Sequence, residues 1–246
     1  MSLFDELLST FEKGFLLSNF YESLASLKSQ NFSIQKEGNN FFIYEKNLHL
    51  MYFFINENKK FKLKNTHLKL LAKNKAFDKF KEFLQINNFS NFRNFTQMIL
   101  KNEKITIPNF NMTSFAELNQ VAEIKAFLGE FFSLEYLFYF SEEELKEKIL
   151  QNEVLIYTED KLIKGALIFS KHLNSVFLDF IAVSKDLKNK KASFALLCDF
   201  INLNKEVLNF KLFVDDTNEK AINFYKRSNF INTNINLAFY RNFNEF

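Results

Sequence analysis

Residues 154–184 limit the fold more than any other part of the chain. Three runs rich in branched and aromatic residues stand almost end to end there: "VLIYTE" (154–159), "LIKGALIFSK" (162–171) and "SVFLDFIAVS" (175–184), with Asp160-Lys161 between the first two. Runs of this length and composition predict strands, and a two-residue polar link predicts that the first pair closes as an antiparallel hairpin. After Ser184 the pattern changes. A lysine-rich loop leads to helical spacing over about 190–204, then to a strand "FKLFVDD" (210–216), the amphipathic stretch "NEKAINFYKRSNF" (218–230) and a last strand through "INLAFYRNF". Strands that start antiparallel and then alternate with helices predict a mixed, mostly antiparallel sheet flanked by helices, an α/β (α+β) architecture.

Upstream of the hairpin, Ser114 with Glu117 predicts a capping box for a helix to about Phe132. Ser141 with Glu144 predicts the same for a helix ending near Leu150. Pro108 follows the alternating "KITIP", and the pattern restarts after it, so the chain is expected to divide into a smaller α+β domain over 1–102 and a second domain over 103–246. In the first part, Leu7, Phe11, Phe15 and Leu16 have helical spacing, which predicts one or two helices in 3–28. Strands are expected at 32–35, 40–46 and 48–56, with "EGNN" (37–40) as a turn, and a helix at about 74–87 that ends at "INNF". The stretch "KFKEFLQINNF" (79–89) aligns without gaps on "KAINFYKRSNF" (220–230), with Leu84 in the place of Tyr225. The N-terminal part is therefore open to two readings, a degenerate copy of the second unit or chance in a biased composition.

The charge balance narrows the classes of partner. With 32 basic and 29 acidic residues the net charge is +3, far from the excess that binders of phosphate backbones carry, so no nucleic acid is expected. Apolar runs such as "LHLMYFFI" (48–55) are too short to cross a bilayer, and a cytoplasmic protein without membrane contact is the expectation. The lone Cys198 can form neither an internal disulfide nor a thiolate cage. His49, His67 and His172 lie far apart in sequence, so no metal is expected.

From residue 103 onward, the order hairpin, strand, loop, helix, strand, helix, strand resembles the GNAT N-acetyltransferase superfamily. Three stretches carry the resemblance: "VLIYTEDKLIKGALIFSK", "LDFIAVSKDLKNKKASFALL" and "NEKAINFYKRSNF". It implies a GNAT-type sheet and the use of acetyl-CoA (coenzyme A). It also implies that the strand ending at Val183 parts from its neighbour, so that backbone groups of Ile181, Ala182 and Val183 pair with a pantetheine arm. The loop Lys188, Asn189, Lys190, Lys191, Ala192, Ser193 then occupies the pyrophosphate site at a helix N-terminus. Lys191 stands where the family has a glycine, and a left-handed backbone there would cost roughly 1–2 kcal/mol. As an ordinary solvated helix start, the same lysines need no ligand.

Within "NEKAINFYKRSNF" the resemblance assigns Asn218 to the pantetheine amides, Ala221 and Phe224 to the cofactor's surroundings, and Tyr225 to proton donation toward the cofactor sulfur. The plainer readings are a first-turn residue beside a cap at Asp216 or Thr217, and a core tyrosine. An amine acceptor must lose a proton, and Asp179, a carboxylate within a strand, is the first choice of base ahead of Glu130, Glu135 and His172. Phe132, Tyr136, Phe138 and Tyr139 are candidates to line the acceptor pocket. The resemblance thus implies transfer of an acetyl group to a primary amine of a small molecule or peptide by direct attack in a ternary complex, with residues 1–102 shaping the acceptor site or a homodimer. Against it stand a GNAT-like binding or assembly module without turnover, for which the altered loop argues, and transfer from a carrier such as tRNA or acyl carrier protein.

Overall fold

The computed structural model describes residues 2–21, 32–45, 50–102, 107–132, 140–186 and 191–242. In chain order the elements of the first part are α1 (Leu3–Phe11), β1 (Leu17–Ser18), β2 (Phe32–Glu37), β3 (Asn40–Glu45), β4 (Met51–Ile55), β5 (His67–Lys73), α2 (Lys81–Ile86) and β6 (Ser90–Lys101). There follow β7 (Ser114–Phe115), α3 (Val121–Gly129), α4 (Glu142–Leu150), β8 (Val154–Glu159), β9 (Leu162–His172), β10 (Ser175–Val183), α5 (Ala192–Leu203), β11 (Asn209–Asp215), α6 (Glu219–Arg227) and β12 (Ile231–Arg241). Two compact units result: residues 1–96 with 215–217 and 233–246, and residues 97–214 with 218–232. Among the described residues no helix is long and apolar enough to cross a membrane.

The first unit is built on aromatic packing. Its antiparallel sheet has the order β1-β4-β3-β2, and β4 is buried along its whole length. Because side chains alternate across a strand, Phe42, Tyr44, Met51 and Phe53 enter one apolar cluster, while Phe41, Ile43, Tyr52 and Phe54 enter another beneath Leu7 of α1. The Phe53 and Phe83 rings stack with centroids 4.2 Å apart, which joins the sheet to α2. The two-residue turn before β3 relies on Gly38 at φ 61°. The helix expected to run past Phe15 stops at Phe11, because the chain reverses at Gly14 with φ 82°. Residues 22–28 of that expectation lie outside the described residues. The strands β5 and β6 have no counterpart in the sequence reading. β5 pairs antiparallel with β12, from Ile235↔Lys73 to Arg241↔His67.

The second unit has the strand order β6-β11-β10-β9-β8-β7. The pairs β7–β8, β8–β9 and β9–β10 are antiparallel, and β10–β11 is parallel. On one face, α3 and α4 close a cluster that includes Ile124, Leu128, Leu145, Ile156, Ile168 and Ala182. On the other, α5 and α6 close a cluster that includes Leu155, Leu167, Leu178, Leu196, Phe200 and Tyr225. The capping box at Ser141 and Glu144 is present, and α4 ends at Leu150. The box expected at Ser114 is not. Ser114 lies in β7 opposite Ile156, and Glu117 instead forms a capping box with Gln120 ahead of a short 3-10 turn and α3. A sheet edge claims Ser114, so the cap falls three residues later.

The similarity between 79–89 and 220–230 extends to backbone geometry. Each helix leaves through an asparagine in the left-handed region, Asn88 at φ 57° and Asn229 at φ 65°. The Phe89 N–H donates to the Leu84 carbonyl at 2.8 Å, and the Phe230 N–H to the Tyr225 carbonyl at 3.0 Å. These are matching helix C-terminal motifs, each followed by a strand. The element orders also correspond, β3-β4-β5-α2-β6 to β9-β10-β11-α6-β12, except that residues 56–66 between β4 and β5 hold no helix where the second unit has α5.

The hairpin between β8 and β9 turns through Asp160 and Lys161 with φ of 52° and 66°, which is the type I′ pattern. Lysine is poorly suited to that conformation. Replacement Lys161→Gly is expected to raise unfolding stability by about 1 kcal/mol, read as a shift in urea midpoint at constant slope.

Candidate active site

Pairing between β10 and β11 runs from Ser175↔Asn209 to Leu178↔Leu212 and goes no further, although β10 continues to Val183 and β11 to Asp215. Two features of β10 open the strands. Its register against β9 shifts between Leu178 and Phe180, so Asp179 occupies a bulge, and a bulge bends and twists the strand that carries it. Beyond the bulge β10 stays with β9, as Ile181↔Leu167, Ala182↔Ala166 and Val183↔Gly165. The Ser184 N–H then donates to the Lys164 carbonyl at 2.8 Å. Bonded pairs alternate in an antiparallel ladder, so Phe180 and Ala182 bond toward β9, whereas Ile181 and Val183 turn their backbone groups to the side where β11 has departed. A flexible amide-bearing chain could bond to that edge as a further strand.

At the end of this opening, α5 begins. Lys191 is the N-cap at φ −76°, and no side chain caps the helix, so the N–H groups of Ala192, Ser193 and Phe194 have no partner within it. The cost expected for a non-glycine residue at 191 does not arise, because the backbone there is not left-handed. Lys191 is exposed, Ala192 is buried and Ser193 is half-buried. Lys188, Asn189 and Lys190 lie outside the described residues. Close approach of α5 to the sheet depends instead on Gly165: a Cβ there would stand 3.0 Å from a Leu196 methyl and 3.2 Å from the Tyr157 Cβ. The strand before the loop is tethered by Lys164, whose ammonium donates to Asp186 at 2.6 Å and lowers that carboxyl to about 2.

Tyr225 projects from α6 into the cluster that also holds Leu212 and Val214 of β11 and against which Ile181, Val183, Ala221 and Phe224 pack. It is 5% exposed, its ring lies edge-on to Phe224 and Phe230, and burial raises the phenol well above its usual pKa. No described residue hydrogen-bonds its hydroxyl, although a phenol buried for packing alone ordinarily finds a partner. Asn218 is itself the N-cap of α6, and its Oδ1 accepts from the Ala221 N–H at 3.0 Å. This displaces the cap expected at Asp216 or Thr217 and leaves the exposed Asn218 amide N–H groups to face outward as donors.

Asp179 lies on the opposite face of the sheet from Tyr225, with α4. It accepts a hydrogen bond from the Ser170 hydroxyl, and the Lys148 ammonium stands 3.7 Å away. Lys148 also donates to Glu153 at 2.7 Å, to Ser170 at 2.6 Å and to the Phe169 carbonyl at 2.9 Å. This network, which no local motif announces, gives the buried Glu153 and the half-buried Asp179 their partners. Burial raises the Asp179 pKa, and the Ser170 bond and Lys148 charge oppose it. His172 and Glu130 are exposed, and Phe132 packs with its ring centroid 5.0 Å from that of Phe180. Glu135, Tyr136, Phe138 and Tyr139 lie outside the described residues. Because a raised carboxyl pKa means that the folded state holds its proton more tightly, the contribution of Asp179 to stability should fall as pH rises above 3.8 through the native value. Wild-type stability should therefore decline relative to Asp179→Asn over that interval, as measured by urea unfolding at a series of pH values.

No protein-family model matches the chain, and no curated protein matches it. Solved structures do. A GCN5-related N-acetyltransferase from Sphaerobacter thermophilus superposes with a TM-score of 0.58 at 8% identity, over 82% of this chain and 79% of that one. A GNAT-family acetyltransferase from Colwellia psychrerythraea gives 0.56 at 9% identity, over 99% and 98%. A tandem GNAT protein from the clavulanic acid biosynthesis pathway gives 0.56 at 8% identity, over 99% and 94%. At such identities the likeness speaks for architecture, and together with the parted strands it establishes that this chain has the fold of the GNAT superfamily.

Proposed function

We propose that the protein is an acyl-CoA-dependent N-acyltransferase, most simply one that moves acetyl to a primary amine of a small molecule or peptide. The observation that carries this reading is the end of β10–β11 pairing at Leu178↔Leu212, which leaves backbone groups of Ile181 and Val183 directed at a gap. The residues around it suit coenzyme A. Uncapped amides of Ala192 and Ser193 at the start of α5 favour phosphate, and Lys191, with Lys188 and Lys190 just before it in sequence, adds positive charge. Asn218 offers an amide donor, and Ala221 and Phe224 supply apolar surroundings. When bound, an acyl-CoA supplies a thioester carbonyl and a sulfur leaving group.

The chain's own part is to hold, orient and move protons. Tyr225 keeps its proton at neutral pH and offers the hydroxyl to the sulfur side of the gap. An N–H near Ile181 to Val183 meets the carbonyl oxygen. Asp179, at the start of the gap and on the face of α3 and α4, takes the proton of the incoming amine, a role that its raised pKa favours. Direct attack is preferred to a cysteine intermediate, because burial, helped by the Asp199 charge, pushes the Cys198 thiol to about 11. The first unit, which has no helix between β4 and β5, is read as a GNAT-like repeat that has lost its donor site.

Saturating acetyl-CoA or CoA should raise the melting temperature by several degrees. No shift would turn the reading toward a module without turnover. Tyr225→Phe should lower kcat by about 10- to 1,000-fold with little change in cofactor affinity, measured as CoA release with a panel of amines. Wild-type rate in that variant would make Tyr225 a packing residue.

A further inference from the structure

The second unit contains a cavity of about 370 Å³ where the segment 107–115 passes over the C-terminal half of α5. Asp199 and Asn202 line it from α5, three residues apart and so on one face of the helix. Asp199 is only 7% exposed. One of its oxygens accepts a hydrogen bond from the Thr113 hydroxyl at 2.8 Å, and the other, Oδ1, is buried with no partner. Asn202 uses its amide N–H on the Pro108 carbonyl at 3.2 Å, and its Oδ1 is also buried with no partner. Lys205 borders the cavity, yet among the described residues Asp199 makes no ion pair.

A buried carboxylate oxygen with neither a hydrogen bond nor an ion pair is costly for a fold to keep, and the neighbouring orphan is a second acceptor. The pair therefore calls for a donor that also carries positive charge. Ile107, Phe115 and Leu155 give the same cavity apolar wall, suited to hydrocarbon. We propose that this cavity binds a small ammonium-bearing molecule: the ammonium donates to Asp199 Oδ1 and Asn202 Oδ1, and an alkyl stem lies along Ile107, Phe115 and Leu155. The site belongs to the outer part of α5 and does not depend on acyl transfer.

The test is isothermal titration of the full-length protein with 1-aminobutane, with 1-butanol and KCl as controls. The amine should bind at least about tenfold more tightly than the alcohol, since hydrogen bonds to charged groups contribute most. Asp199→Asn, in which the Thr113 bond can persist, should weaken amine binding at least about tenfold, whereas Asp179→Asn should leave it unchanged. Asn202→Ala, at a less buried position, should also weaken it and serves if Asp199→Asn fails to fold. Three results would overturn the proposal: no amine binding in the millimolar range, equal binding of amine and alcohol, or binding that survives Asp199→Asn but is lost in Asp179→Asn. The last would place the amine at the transfer site and leave the acyltransferase reading untouched.

Discussion

The open edge in the second unit follows from the release of β10 by β11 after Leu178. A parallel pair that stayed in register to Val183 would satisfy both strands internally and leave no edge for a ligand. Instead, the bulge at Asp179 changes the curvature of β10 while the antiparallel ladder to β9 holds it in the sheet. The same bulge places Asp179 and Phe180 on one face and Ile181 and Val183 on the other. Asp179 therefore stands with α4 on one face of the sheet and Tyr225 with α6 on the other.

The elements that could be read from sequence were those whose signals are local. The hairpin at Asp160-Lys161, the capping box at Ser141 and the helix leading to Ser228 depend on residues a few positions apart, and each is found where expected. Strands β5 and β6 escaped. "HLKLLAK" and "SNFRNFTQMILK" are interrupted by polar residues, and β5 is completed by β12, more than a hundred residues away in sequence. Ser114 misled because a motif suited to starting a helix also lies within reach of a sheet edge, and the edge prevails.

The site was legible in a similar, uneven way. The resemblance pointed to Ile181, Ala182 and Val183 together, but which of them turns its backbone groups away from β9 depends on a register set by the bulge. The polar network joining Lys148, Glu153, Ser170 and Asp179 draws on α4, β9 and β10, and no spacing in sequence hints at it. Asp199 was not singled out in the sequence; only the segment 107–115 laid over α5 makes it buried and half-partnered.

The geometry at Lys191 bears on how far such a chain can drift. A pattern that insists on glycine before α5 assumes a backbone which only glycine adopts easily, and here residue 191 enters the helix at φ −76°. Any amino acid fits that conformation. A lysine can then stand there while the shape persists, which is one physical route by which a fold tolerates the loss of a glycine at a helix entry.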